Sequence, residues 1–355
     1  MLPRIVVVGQ GQLGQMLQQA GAPMQLEVRP LDPKADSELE LRDDDVITVE
    51  LEHWPDTARG LQLKQHPHFL NATALHSVID RQRQKSLLDR LQVPTAPWVS
   101  LESGFLSDQL EGLSEQVMVK RRSGGYDGRG QWRWRSGDAP LEEWAGECIA
   151  EAMIPFSHEV SLVGARNAAG DKVFYPLTRN WHQNGILCAS LGNLPEPPEQ
   201  QADVEAWLSR IMDDQQYVGV MAMECFVVNG QLLVNELAPR VHNSGHWTQA
   251  GAAISQFELH LRAVADLPLI QPEVTGCTMM YNLLGRDWQT DWLSVTGAHV
   301  HWYGKTVRPG RKVGHVNVHR PSTAELIDSL EDLKSRVEPE DRAIFDWSLQ
   351  QLQNR

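Results

Sequence analysis

Two glutamates, Glu224 and Glu236, flank an Asn229-Gly230 step in the segment VMAMECFVVNGQLLVNELAPRVHNSGH, residues 220–246. Asn-Gly between alternating apolar runs is a strong β-hairpin signal. A plain two-residue loop would set Glu224 opposite Asn235 and send Glu236 to the other face. A type I turn with Gly230 in a left-handed bulge position makes the loop odd in length. Both carboxylates are then expected on one face, roughly 7–8 Å apart as diagonal neighbours. Such a pair suits a hard cation such as magnesium, which takes oxygen ligands and shares them with substrate phosphates. Ordinary hairpins also carry solvated glutamates, but these flanks are so apolar that burying either carboxylate alone would be costly. Asn235, Arg240, His242, Asn243 and His246 make the continuation too polar for an idle exit loop.

A second constellation starts with residues 116–120, read as a strand that ends in Lys120. It runs into RRSGGYDGRGQ, residues 121–131, where Gly124, Gly125, Gly128 and Gly130 let backbone amides approach phosphates closely. Lys120 would act there as a point charge. Tyr126, Asp127 and Arg129 are more reactive groups than a flexible hairpin tip needs. A third cluster, KTVRPGRK at residues 305–312, gathers Lys305, Arg308, Arg311 and Lys312, with His315 close behind. It reads as a local anion site, since arginine suits bidentate phosphate binding, with solvated surface as the alternative. Glu50 closes a predicted strand near residues 46–51, the position α/β layers give to ligand groups. His53, His66, His68 and His76 lack metal-ligand spacing and read as surface or satisfied core residues.

These groups need elements to position them. Residues 4–9 form an apolar strand, a helix follows to about residue 20, and strands near 25–30 and 46–51 complete a parallel α/β layer. Gly9, Gly11 and Gly14 match G-x-G-x-x-G, with Asp32 about twenty residues on, which is the dinucleotide-binding fingerprint. A nicotinamide dehydrogenase is therefore the first alternative, although nothing downstream supplies its catalytic pair. The prolines of residues 93–97 mark a boundary. Short strands with Gly-rich turns follow, as in an α+β domain. Then come the hairpin, an amphipathic helix near 254–265, strands near 278–284 and 298–303, and helical sequence from about 323.

The bulk numbers bound the answer. A chain of 355 residues suggests two or three domains, and 41% hydrophobic with 22% charged residues is ordinary globular composition. No apolar run reaches the roughly 18 residues that span a bilayer. The start, Met-Leu-Pro-Arg before IVVVG, is too short for a signal peptide. Cys148, Cys188, Cys225 and Cys277 are widely spaced and read as buried free thiols, which fits a cytoplasmic protein. A net charge of −14 argues against nucleic acid or anionic membrane as partner.

Taken in order, GQGQLG, TVELE, KRRSGGYDGRGQ, YPLTRNWHQNGI, MAMECF, NELAPRVHNSGHWTQ and RPGRKVGHVN resemble the ATP-grasp superfamily. In detail they are similar to its N5-carboxyaminoimidazole ribonucleotide synthetase family, over essentially the whole chain. The resemblance implies an α/β and α+β ATP-grasp fold divided into 1–96, an N-terminal α/β substrate domain, and 97–170, a small lid subdomain. Residues 171–290 would form the large subdomain with the metal hairpin, and 291–355 a C-terminal domain packing on the first. It implies a ligase of purine synthesis that carboxylates aminoimidazole ribonucleotide with ATP and bicarbonate through carboxyphosphate. ATP would be contacted by Arg81, Lys120, Gly125, Tyr126, Asp127, Gly128, Arg129, Gly130, Gln131, Glu151, Ala152, Met153 and Ile154. Glu159 would hold its ribose with His182 nearby, and Asn235 would lie beside the metal pair.

By the same resemblance Glu224 and Glu236 bind magnesium, or manganese in its place. The ribonucleotide would meet Gln12, Leu13, Glu50, Asn243, Lys305, Arg311 and Lys312. Tyr126, Asp127, Arg129, Arg240 and His242 would position the intermediate and handle protons, with Arg240 the clamp for bicarbonate or carboxyphosphate. A homodimer is implied. The nearest alternative is the ATP-grasp formate-dependent glycinamide ribonucleotide transformylase, which lacks the Tyr-Asp-Gly-Arg loop.

Overall fold

A computed structural model describes residues 2–35, 39–51, 54, 57–101, 107–124, 130–138 and 146–354. The valine-rich β1 (Ile5–Val8) is buried along its whole length, so both of its faces need cover. It pairs in parallel with β2 (Val28–Leu31) and β3 (Val46–Val49), as the strand–helix–strand rhythm predicts. Alternation sends Ile5 and Val7 into one core and Val6 and Val8 into another. The crossover helix Gln12–Gly21 lays Leu13, Met16 and Leu17 on the first of these cores.

A four-stranded antiparallel sheet follows, in the order β4 (Trp98–Ser100), β7 (Cys148–Ala152), β5 (Gln116–Arg121), β6 (Gln131–Arg135). It packs around Leu101, Val117, Val119, Trp134 and Cys148. The large sheet is antiparallel throughout. It comprises β8 (His158–Arg166), β9 (Lys172–Phe174), β10 (Thr178–Gln183), β11 (Ile186–Gly192), β12 (Gly219–Val228), β13 (Gln231–Ala238), β14 (Cys277–Leu284), β15 (Ala298–Trp302) and β16 (Lys312–Arg320). Its order is β13-β12-β8-β10-β11-β14-β16-β15, with β9 paired to β8. The sheet therefore continues through the expected division at residue 290, with β14 hydrogen-bonded to β11 on one side and β16 on the other.

Two helices fix this sheet to the rest. Gln256–Val264, capped by Ser255 Oγ on the Glu258 amide, packs on β12 and on the helix Gln12–Gly21. Its buried His260 accepts from the Val220 amide at Nδ1 (3.0 Å), so Nε2–H donates to Thr48 Oγ1 (2.9 Å) and ties the N-terminal layer down. Arg81–Arg90, capped by Asp80, runs beside β13. The β13 edge is closed by Pro94 and Thr95: the Val234 amide donates to Pro94 O and Thr95 Oγ1 donates to Val234 O. Cys148, Cys188 and Cys225 are buried and Cys277 is half-buried, all as free thiols. Among the described residues no helix is long and apolar enough to cross a membrane.

Candidate active site

The hairpin corrects the expectation about its own turn. Val228 pairs with Gln231, so the loop is only Asn229-Gly230, with φ of 50° and 80°. Both values lie in the left-handed region that a two-residue type I′ turn requires, and there is no bulge at Gly230. The register shift falls deeper, between Glu224 and Cys225: Cys225 pairs with Val234, yet Glu224 pairs with Glu236. Asn235 is the extra residue. A β-bulge there reverses the alternation of β13 and brings Glu236 directly across from Glu224 rather than diagonal to it.

Burial pushes the Glu224 carboxyl up to about 7, and the charges of Glu236 and Glu159 push the same way against His182 and Arg240. Two carboxylates facing across one strand pair are what a divalent cation would relieve, so the residues fit magnesium. Among the described residues no group of three or more His, Cys, Asp or Glu side chains is arranged to hold a metal alone. The remaining ligands would have to come from elsewhere, as when a metal shares substrate phosphates.

Around this pair the site is densely connected. Arg81 Nη2 lies 3.6 Å from Glu236 Oε1. Lys120, at the end of β5, donates to Glu151 Oε2 at 3.1 Å and to Asn235 Oδ1 at 3.2 Å, so the bulged residue reaches the strand-end lysine. His182 Nδ1 is paired with Glu159 Oε2, and its Nε2 lies 4.0 Å from Glu224 Oε1. Burial lowers the His182 pKa, but the Glu159 bond and the Glu224 charge outweigh it and the net shift is upward. His242 is the opposite case: burial, then Arg240 and Lys312, hold it well below the usual histidine range. Its Nδ1 accepts from the Ser244 amide, so the neutral ring turns Nε2–H toward Glu224 Oε1, 3.7 Å away.

The glycine turn also departs from its fingerprint reading. Glu50 Oε1 accepts from the Gly11 amide and Oε2 from the Gly14 amide, each at 3.0 Å. A carboxylate of the chain thus takes the helix N-terminus that a dinucleotide would offer to its pyrophosphate. Gly9, at φ 135°, is needed for the same approach, because a Cβ there would lie 2.2 Å from Glu50 Cγ. Burial raises the Glu50 carboxyl to about 7 against the two amides, Arg240 and Lys305. Lys305 donates to Gln12 Oε1 and lies over the Tyr303 ring.

The remaining expected residues stand as follows. Asn243 is half-buried, and neither atom of its amide group has a partner, which leaves a donor and an acceptor for a ligand. Leu13 turns its side chain into the core, leaving its backbone for any contact. Arg311 is exposed and donates to Thr306 O, and the half-buried Lys312 opens β16. Ala152, Met153 and Ile154 form the half-buried exit of β7, and Gly130 and Gln131 lead into β6. Gly125, Tyr126, Asp127, Gly128 and Arg129 lie outside the described residues. A cavity of about 40 Å³ is lined by Arg81, Gly124, Glu236 and Arg240 among others. A larger cleft of about 230 Å³, around Tyr281, Arg286, Trp292 and Asp341, contains none of the expected site residues.

Sequence reasoning missed two residues beside the bulge. Gln84 accepts from the Leu237 amide (3.0 Å) and donates back to Leu237 O (3.2 Å). Lys85 reaches Thr95, Glu151 and Asn235. In QRQKSLLDR such residues look like a solvated helix face, and no spacing signal marks them as buried.

Among the described residues, three sheets, a carboxylate pair that fits magnesium and a strand-end lysine bonded to the bulged Asn235 have the make-up of an ATP-grasp ligase. The ATP-grasp domain model matches residues 86–257, and that of the phosphoribosylaminoimidazole carboxylase C-terminal domain matches 278–329. The N5-carboxyaminoimidazole ribonucleotide synthase of Escherichia coli is 51% identical over 98% of this chain and 99% of its own. A crystal structure of the Thermus thermophilus synthetase covers 94% of this chain and 98% of its own, at 38% identity and a TM-score of 0.82. That of an Aspergillus clavatus synthase complexed with ATP covers 94% and 97%, at 25% identity and a TM-score of 0.82. The chain belongs to the N5-carboxyaminoimidazole ribonucleotide synthase family. It is an ATP-dependent ligase of purine synthesis whose reaction carboxylates aminoimidazole ribonucleotide. These matches set aside both the dehydrogenase and the glycinamide ribonucleotide transformylase alternatives.

Proposed function

We infer that the chain performs this carboxylation with magnesium-ATP and bicarbonate, through carboxyphosphate, and that the expected residues take the roles given above. The observation that carries the reading is the place of Arg240. Its charge acts on both Glu224 and Glu50, so it lies within electrostatic reach of the metal pair and of the glycine turn. An anion bound to it would stand between nucleotide and ribonucleotide.

In this reading Lys120, Arg81 and the residue 125–131 loop hold the ATP phosphates, the backbone of residues 151–154 contacts ATP while the Glu151 side chain stays with Lys120 and Lys85, and Glu159 with His182 holds the ribose. Magnesium, or manganese, held by Glu224 and Glu236 would supply charge neutralisation on the phosphates. Bicarbonate oxygen attacks the γ-phosphorus, the bond to ADP breaks, and carboxyphosphate forms against Arg240. Carboxyphosphate releases phosphate and carbon dioxide in a pocket that excludes water. The exocyclic amine of the ribonucleotide attacks the carbon and gives up a proton. Tyr126, Asp127 and Arg129 position these species with His242, whose neutral ring can donate from Nε2 but has its Nδ1 lone pair engaged.

Gln12, the Leu13 backbone, Glu50 and Asn243 hold the ribonucleotide, with Lys305, Arg311 and Lys312 on its phosphate. A cytoplasmic homodimer belongs to the same proposal, as does the four-part division at residues 96, 170 and 290, read as a division of the chain whose last two parts share one sheet. The test is ADP release measured with each substrate omitted in turn. Release should require both bicarbonate and ribonucleotide, and release that ignores the ribonucleotide would overturn the reading.

A further inference from the structure

Lys85 is 2% exposed, and nothing in the reaction as described uses it. It lies on the inner face of the helix Arg81–Arg90, four residues after Arg81. Its ammonium donates to Thr95 Oγ1 at 2.5 Å, stands 3.4 Å from Glu151 Oε2, and reaches Asn235 O at 3.5 Å. Lys120 Nζ lies 3.1 Å from that same Glu151 oxygen and 3.2 Å from Asn235 Oδ1. Two lysines therefore share one buried carboxylate, and the same two grip the bulged residue, one through its backbone and one through its amide.

The sharing has a consequence for ATP. Were Lys120 the sole partner of Glu151, moving toward a phosphate would strand a buried carboxylate without a counter-ion, a strongly unfavourable arrangement. With Lys85 in place, Glu151 keeps a cation whichever way Lys120 turns. Lys85 itself cannot make that move, because it is enclosed by Thr95 and the β13 backbone, whereas Lys120 sits at a strand end beside the glycine-rich loop. We propose that Lys85 is a positioning residue, a resident counter-ion that neutralises Glu151 so that Lys120 is available to the ATP phosphates. Burial tends to discharge both groups: at Lys85 the pKa falls, with Glu151 acting against burial and the like charge of Lys120 acting with it, whereas at Glu151 the two lysines outweigh burial and hold the carboxylate ionised.

The inference rests on the assignment of Lys120 to ATP, so its test reads nucleotide binding rather than turnover. Magnesium-ATP affinity is measured by titration calorimetry on full-length wild type, Lys85→Met, Glu151→Gln and the double variant, each checked for folding by circular dichroism. Lys85→Met should bind ATP about tenfold more weakly, the effect of about 1.4 kcal/mol of coupling, with the ribonucleotide KM little changed. Adding Glu151→Gln removes the stranded charge and should return affinity to within about threefold of wild type. A purely structural lysine would show no such rescue. Wild-type affinity in folded Lys85→Met, or a double variant no tighter than the single, would overturn the proposal. Should Lys85→Met not fold, the double variant decides alone: a folded double variant that has lost ATP binding overturns it. A wild type that binds ATP without carboxylating the ribonucleotide would count against the proposed function and leave this inference standing.

Discussion

Glu224 faces Glu236 across β12 and β13 because Asn235, one residue before Glu236, is bulged out of register. Deep placement of the bulge makes the carboxylate pair independent of the turn that joins the strands. It also gives Asn235 a second use, as the acceptor that holds Lys120 at the pair's edge.

Replacing Glu236 with glutamine removes one of two facing carboxylates while keeping its shape. Turnover should fall by more than about 100-fold, beyond the usual loss from disturbing the groups around a metal site. Steady-state ADP release across a magnesium titration checks this, and near-normal activity would remove Glu236 from the metal pair.

The turn gives the complementary test. Gly230 has a φ of 80° and open space around its Cα, so Gly230→Ala introduces backbone strain and no clash. A stability loss of about 1 kcal/mol with unchanged kcat is expected from denaturant unfolding and kinetics of the folded enzyme. A large drop in kcat would mean that the turn, and not the Asn235 bulge, sets the glutamate geometry.

Gly9→Ala should act on the ribonucleotide side alone. The added Cβ would displace Glu50 from the Gly11 and Gly14 amides, raising the ribonucleotide KM while ATP affinity holds. An unchanged KM in a folded variant would take Glu50 out of that site.

Arg311→Ala should mainly raise the ribonucleotide KM, by about tenfold or more, as the loss of a charged hydrogen bond predicts. Normal ribonucleotide saturation in this variant would show that Arg311 is only an exposed loop cation.

Acid should loosen the junction at His260. Burial holds its pKa at about 4 in the folded chain, against 6.5 ordinarily. Between those values the unfolded chain binds a proton that the folded one refuses, so this contribution is complete above pH 6.5 and is lost as pH falls toward 4. The shift is worth about 3 kcal/mol as an order of magnitude. Thermal melts against pH should be steeper in wild type than in His260→Gln across that window, and parallel profiles would refute the assignment.

Much of the chain could be read directly, and the reason is local. The all-apolar β1, the Asn229-Gly230 turn, the strand ending at Lys120 and the helix near Gln256–Val264 are signalled by residues within a few positions of one another. The same holds for the functional segments, whose order along the chain pointed to the family before any geometry was known. Two features had no local signal. The bulge at Asn235 depends on what lies beside β13, where Gln84, Lys85, Pro94 and Thr95 take its backbone groups. The glycines of residues 9–14 fit a pyrophosphate or a carboxylate equally well, and only the approach of β3 shows that Glu50 is what they admit.

The sequence by itself determined which chemical groups this protein has and in which short elements they stand, because propensity, alternation and turn chemistry act between neighbours in the chain. Tertiary structure alone decided which carboxylates face each other, that Lys85 is buried rather than solvated, and that His242 is neutral while His182 is driven toward its charged form. Those outcomes are set by register, desolvation and the sum of charges brought together from distant segments, and none of these exists until the sheets have packed.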